Sequence, residues 1–274
     1  MKKIAEILIK VILFFMMWLL GVSVIPIPNI ENPAIWRFFA ELFPLLVMIL
    51  VTVLFWLIQK KELKMGLIDN WARGIKIGSV VGIIWILVPV FILHIFGIVQ
   101  FERSNYFSSA GLWFISVFLN VVMQELLVRG YLYQFLKQKS NILIATIVTT
   151  GIFTLLHGGA IEAGIVPVFN VLTMSVFMTF LLEWSKSIWA PIIAHYLWNA
   201  VGSLVFNGVL LADDYPHILN AVFVGNDIVS GGVCRLEGSI LVLIVNSIFC
   251  IMIVFLSVMK TKRTATRHVT DTVV

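Results

Sequence analysis

Six polar residues stand at helical spacing inside stretches that are otherwise apolar. They occur in QELLVR, FTLLHGG and HYLWN and are Gln124, Glu125, Arg129, His157, His195 and Asn199. Glu125 and Arg129 are four residues apart, as are His195 and Asn199, so the members of each pair lie on one face of a helix. Each pair can therefore act together if the three stretches pack around a common centre.

These residue types can hydrolyse an amide. A carboxylate and an imidazole that share a water can take its proton and orient it. A second imidazole with a carboxamide can donate hydrogen bonds to a developing oxyanion. Glu125, His157 and His195 could equally hold a zinc ion with an open position for water. The spacing alone does not choose between these two chemistries.

The elements that must position these residues are membrane helices. The chain has 274 residues, of which 61% are hydrophobic and only 12% charged, and its mean hydropathy is +1.05. A soluble domain of this length needs a more polar surface. We therefore predict an all-α, polytopic membrane protein that forms a single integral membrane domain over residues 1–274.

Runs long enough to cross about 30 Å of hydrocarbon predict about eight transmembrane helices. They lie near 4–24, 38–58, 75–98, 110–136, 141–157, 166–183, 188–208 and 238–259. The fifth and sixth are short. The fourth, fifth and seventh carry the polar residues and should form the active-site cavity. Pro191, one turn before His195, would kink a helix interior, and the kink either helps to shape that cavity or only serves helix packing.

The distribution of basic residues predicts the topology, because Lys and Arg collect on the cytoplasmic side of a membrane. With the N-terminus inside, three basic residues fall in outer segments, namely Arg37, Arg103 and Arg235. Fourteen fall in inner segments: Lys2, Lys3, Lys60, Lys61, Lys64, Arg73, Lys76, Lys137, Lys139, Lys186, Lys260, Lys262, Arg263 and Arg267. We expect a multi-pass protein of the cell membrane with both termini cytoplasmic. The basicity follows this topology, so nucleic acid is not an expected partner.

Intramembrane Glu, Arg and His also permit two readings without hydrolysis. Glu125 and Arg129 could be a structural ion pair that locks one helix against its neighbours, and the same groups could form the proton relay of a transporter. The chain shows no internal repeat of the kind found in many transporters. Transport is therefore the weaker alternative.

The three stretches, in this order, resemble the CPBP (Abi) family of intramembrane proteases, which includes type II CAAX prenyl proteases and bacteriocin-processing proteins. The family pattern is EExxxR, then FxxxH, then HxxxN, and the resemblance defines a motif-bearing protease core over residues 115–203. Asn170 and the SIWAP stretch that precedes His195 also resemble the family. The resemblance implies an intramembrane endopeptidase that cleaves small peptides or the tails of membrane proteins. It favours no tightly bound metal, with zinc as the alternative.

Carried over residue by residue, the resemblance assigns Glu125 and His157 to the water and His195 and Asn199 to the oxyanion. Arg129 would hold the glutamate helix.

The chain departs from the family pattern at Gln124. The pattern has two adjacent glutamates, and this chain has glutamine in place of the first. A glutamine can position a water but cannot take its proton at neutral pH. Three readings follow. Glu125 serves as the base, or the chain is a non-catalytic bacteriocin-immunity or regulatory relative, or an active enzyme was altered at this position.

Overall fold

A computed structural model describes residues 2–60, 62–102 and 106–271, with side chains for 4–60, 62–102 and 106–260. Two of the basic residues used for the topology, Lys61 and Arg103, lie outside the described residues. The side chains of five more do so as well: Lys2, Lys3, Lys262, Arg263 and Arg267.

The described chain is mainly helical and has almost no strand, which confirms the predicted all-α class. The α-helices are α1 (Lys2–Val24), α2 (Pro33–Ile58), α3 (Trp71–Ile95), α4 (Ala110–Glu125), α5 (Tyr133–Lys139), α6 (Ile142–Leu156), α7 (Gly158–Ala163), α8 (Ile165–Ser185), α9 (Trp189–Asn199), α10 (Asp227–Ser230) and α11 (Ile240–Asp271). Wider π-helical turns cover Leu126–Leu132 and Ala200–Val205, and a 3₁₀-helix covers Gly232–Gly238. Two short strands, β1 (Val99–Glu102) and β2 (Asn220–Phe223), pair antiparallel and were not predicted.

Six helical stretches among the described residues are long and apolar enough to cross a membrane, which confirms a polytopic membrane protein. Helix α6, with 15 residues, is the shorter apolar helix expected for the fifth span. The sixth span was expected to be short as well, but α8 has 21 residues, since it ends only at Lys186 in the left-handed conformation. Helix α9 has 11 residues before its π-helical extension. The total of eight spans therefore stays a prediction.

Helix α9 packs unusually close to α3, because glycines face it at four-residue intervals. A Cβ added at Gly78 would lie 2.5 Å from the carbonyl oxygen of Ala190, and one at Gly82 would lie 2.9 Å from the Cα of Ala194. Small residues at this spacing let the backbones of two membrane helices approach. This contact sets the position of α9, which carries His195.

Pro191 does not kink α9. The helix begins at Trp189, so Pro191 lies in its first turn, where a backbone N–H has no partner within the helix. The expectation that Pro191 shapes the cavity through a kink is therefore wrong.

A buried polar network ties α3, α8 and α11 together around Asn246. Its side-chain oxygen accepts from Trp85 Nε1 at 2.7 Å, and its Nδ2 donates to the carbonyl oxygen of Asn170 at 3.3 Å. Asn170 Nδ2 donates in turn to the carbonyl oxygens of Glu237 (2.8 Å) and Ser239 (3.0 Å). These bonds fix the start of α11 against α8.

Candidate active site

The predicted helices converge on one cavity of about 640 Å³. Gln124, His157, His195 and Asn199 all line it, although they come from α4, the end of α6 and α9. Four of the six residues singled out by the sequence therefore meet at a common space. Glu125 and Arg129 do not line this space and lie behind its wall.

His157 follows the last residue of α6, where the helix opens into α7. Its Nδ1 lies 2.7 Å from the carbonyl oxygen of Phe153. Since a carbonyl can only accept, Nδ1 carries the proton in this contact and Nε2 is left with a free lone pair. The ring is held against the Phe153 ring, with centroids 4.3 Å apart. His157 therefore presents an acceptor nitrogen in a fixed orientation.

His195 and Asn199 occupy successive turns of α9 and contact each other. His195 Nδ1 lies 2.9 Å from Glu125 Oε1, and His195 Nε2 lies 3.3 Å from Asn199 Nδ2. A carboxylate can only accept, so Nδ1–H donates to Glu125 and the Nε2 lone pair faces the amide of Asn199. Glu125 thus fixes the tautomer and the ring orientation of His195, which in turn orients Asn199.

The carboxylate of Glu125 is fully enclosed, and Arg129 balances its charge. Arg129 Nη1 lies 2.9 Å from both carboxylate oxygens, while Nη2 donates to the carbonyl oxygen (2.8 Å) and Oγ (3.1 Å) of Ser175. Both charged side chains have zero exposure. The guanidinium lies over the ring of Phe153, 5.4 Å from its centroid. A π-helical segment begins just after Glu125 and contains Arg129; such segments are frequent at functional sites.

The pairing of Glu125 and Arg129 agrees with their spacing, but the carboxylate does not face the cavity. We expected Glu125 and His157 to share a water. Instead, Gln124 is the residue of this helix turn that lines the cavity. Glu125 contacts His195 on the side of the imidazole away from the cavity. The assignment of Glu125 as the base stays a prediction, and its contacts suit a residue that positions others.

Two carboxylates that were not predicted from the sequence also line the cavity, Glu41 of α2 and Glu237 of the 3₁₀-helix. Glu41 Oε2 accepts from Asn120 Nδ2 at 2.8 Å, and Asn120 Oδ1 accepts from Gln124 Nε2 at 2.7 Å. Glu41 could have been recognised from the sequence, because it is a charged residue inside the apolar run 38–58. Charged residues within a membrane span are functional candidates by default.

No group of three or more His, Cys, Asp and Glu side chains among the described residues is arranged to hold a metal ion. Nδ1 of each histidine faces an oxygen atom, which leaves Nε2 as the ring atom that could bind a metal. Glu125 does not line the cavity, and its carboxylate is bound by Arg129 and His195, so Glu125, His157 and His195 as arranged do not form a shared zinc site. The expectation that no metal is tightly bound stays a prediction.

Comparison with known proteins gives one match. The family model described as type II CAAX prenyl endopeptidase Rce1-like matches residues 106–201, which contain all six residues singled out from the sequence. No curated protein and no solved structure matches the chain.

Proposed function

We propose that this chain, which belongs to the CPBP family of intramembrane proteases, hydrolyses peptide bonds of peptides or membrane-protein tails that enter the cavity. The observation that carries the proposal is the meeting of His157, Gln124, His195 and Asn199 at one cavity of about 640 Å³. Such a volume suits a short peptide segment, within the ~300–1,000 Å³ of ordinary ligand sites.

His157 is the group best placed to take the proton of the attacking water. Its Nδ1–H is bound to the carbonyl oxygen of Phe153, so Nε2 is an acceptor with a fixed direction. A neutral imidazole can act as a general base, whereas the amide of Gln124 cannot. The side-chain oxygen of Gln124 is buried and makes no hydrogen bond within the described part of the chain, and in this scheme it accepts a hydrogen bond from the second O–H of that water. Together the two groups would orient and activate a water without a carboxylate in direct contact.

Asn199 is the donor we assign to the oxyanion. One N–H of its amide points to His195 Nε2, which leaves the second N–H for the oxygen of the tetrahedral intermediate. Glu125 is a positioning residue in this scheme, because it holds His195 through Nδ1. Arg129 balances the charge of the Glu125 carboxylate inside the protein.

The reaction balances without a further reactant. Water oxygen bonds to the peptide carbonyl carbon as His157 takes one water proton. When the intermediate collapses, the carbon–nitrogen bond breaks and His157 returns that proton to the leaving amine. The products are a carboxylate-terminated peptide and an amine-terminated peptide.

The test uses purified protein in lipid nanodiscs and a defined peptide set: unmodified fluorogenic twelve-residue peptides and a peptide ending in a farnesylated CAAX sequence. Wild type and the His217→Ala control, altered in a loop, should cleave at least one peptide, as seen by mass spectrometry. His157→Ala should not cleave it. Equal cleavage by His157→Ala and wild type would refute the proposed role of His157, and failure of wild type to cleave any member of the set would count against peptidase activity.

A second candidate function is peptide binding without cleavage, as in a bacteriocin-immunity or regulatory protein. It is favoured by Gln124, which stands in the cavity where the family pattern has a glutamate. In that case wild type should bind a member of the peptide set, and neither wild type nor His157→Ala should cleave it.

A further inference from the structure

We propose that Glu41, on α2 and outside the family-matched segment, is a positioning residue that makes Gln124 a hydrogen-bond acceptor in the cavity. The proposal rests on the proposed function. It assigns to Glu41 the negative charge that position 124 lacks.

The direction of each hydrogen bond follows from the carboxylate. Glu41 can only accept, so Asn120 must turn its NH₂ group toward Glu41, where Nδ2 lies 2.8 Å from Oε2. The carbonyl end of Asn120 then faces Gln124, whose NH₂ group donates to it at 2.7 Å. The remaining end of the Gln124 amide is Oε1, which is buried and has no partner among the described residues. The Glu41 carboxylate thus orients the amide of Asn120, which in turn orients the amide of Gln124.

The carboxylate of Glu41 is itself held in place. Oε1 lies 3.2 Å from Arg37 Nη1 and 3.3 Å from the hydroxyl of Tyr215. Burial raises the pKa of the Tyr215 phenol above its usual value, so the phenol keeps its proton and can donate. Arg37 also binds Asp214 in the same loop as Tyr215. Glu41, a buried side chain, therefore lies next to a cation and is held through both carboxylate oxygens.

Asn120 explains why positions 41 and 124 depend on each other. A carboxamide has one donor end and one acceptor end, so Asn120 can satisfy one carboxylate and one amide NH₂ group, but not two carboxylates. With a glutamate at both positions, the oxygen of Asn120 would face a negative charge. The reversed arrangement, with glutamine at position 41 and glutamate at position 124, would satisfy every group again.

Glu41→Gln should therefore reverse the chain of hydrogen bonds. The introduced glutamine can keep its oxygen toward Arg37 and donate its NH₂ group to Asn120, which then turns its own NH₂ group toward Gln124. Gln124 would present a donor to the cavity instead of an acceptor. We expect kcat to fall about 10- to 100-fold, as for other residues that orient a site from behind, with KM nearly unchanged.

The decisive experiment is a double-mutant cycle of Glu41→Gln, Gln124→Glu and the combined variant, measured as cleavage of the peptide set and as melting temperature. Each single variant should lower kcat, and Gln124→Glu should also lower the melting temperature. The combined variant should recover both. The control Asp214→Asn removes a charge beside Arg37 but leaves the chain of amides, so its kcat should stay within about twofold of wild type.

Additive effects of the two single variants on kcat and melting temperature would overturn the role of Glu41. If wild type cleaves nothing, the proposed function has failed while the role of Glu41 is still tested. The melting temperatures then decide it: recovery in the combined variant supports the coupling, and additivity refutes it.

Discussion

Arg129→Met tests whether the charge pair behind the cavity is required for folding. Arg129 donates four hydrogen bonds, two to Glu125 and two to Ser175, and the pair has no exposure. Its removal leaves the buried Glu125 carboxylate with His195 as its partner. Breaking such a pair costs about 3–5 kcal/mol. At roughly 2–4 °C per kcal/mol for a chain of this size, the melting temperature should fall by about 6–20 °C.

The measurement is thermal unfolding in detergent micelles, followed by tryptophan fluorescence. Lys137→Met is the matched control, because Lys137 pairs with Glu183 at a partly exposed site, where a pair is worth about 1 kcal/mol or less. The double variant Glu125→Gln/Arg129→Met removes both charges and should lose much less stability than Arg129→Met alone. The reasoning is refuted if Arg129→Met is no worse than Lys137→Met, or if the double variant is less stable than the single one.

Three further outcomes are expected. Gly78→Val should cost about 1–3 kcal/mol in the same unfolding assay, since its Cβ would meet a carbonyl of α9 at 2.5 Å, whereas Gly151→Val, where a Cβ meets nothing within 4 Å, should cost far less. Glu125→Gln should lower kcat about 10- to 100-fold with KM nearly constant, because it weakens the hydrogen bond that orients the imidazole of His195. An unchanged kcat on the peptide set would contradict this positioning role. In intact cells, Asp213→Cys should react with an impermeant maleimide, and Lys139→Cys should react only after permeabilisation; labelling of the latter from outside would overturn the both-ends-in topology.

The spacing of the motif residues was sufficient to predict which of them contact each other on one helix. Glu125 and Arg129 are one helical turn apart, as are His195 and Asn199, and each pair forms the contact expected from that spacing. Burying such groups in an apolar chain is costly unless they meet one another, so convergence of their helices could be anticipated.

The sequence could not tell which of two adjacent residues faces the cavity. Gln124 and Glu125 differ by about 100° around the helix axis, and the choice depends on where the neighbouring helices pack. Glu41 was missed for a related reason, since its contact with Asn120 joins residues 79 positions apart. Hydrogen bonds of that kind follow from the packing of helices and have no local spacing.

The glycine face of α3 limits which part of this chain could be transplanted as a unit. Residues 106–201 contain every motif of the family match, but the surface that receives α9 belongs to α3, whose glycines precede that segment. A chimera that takes residues 106–201 alone would place His195 against a foreign helix. A transplantable unit must therefore include α3 as well, and also α2 if Gln124 is to keep the orientation proposed to come from Glu41. An increase in side-chain volume at Gly78 or Gly82 should be inherited together with a compensating change on α9.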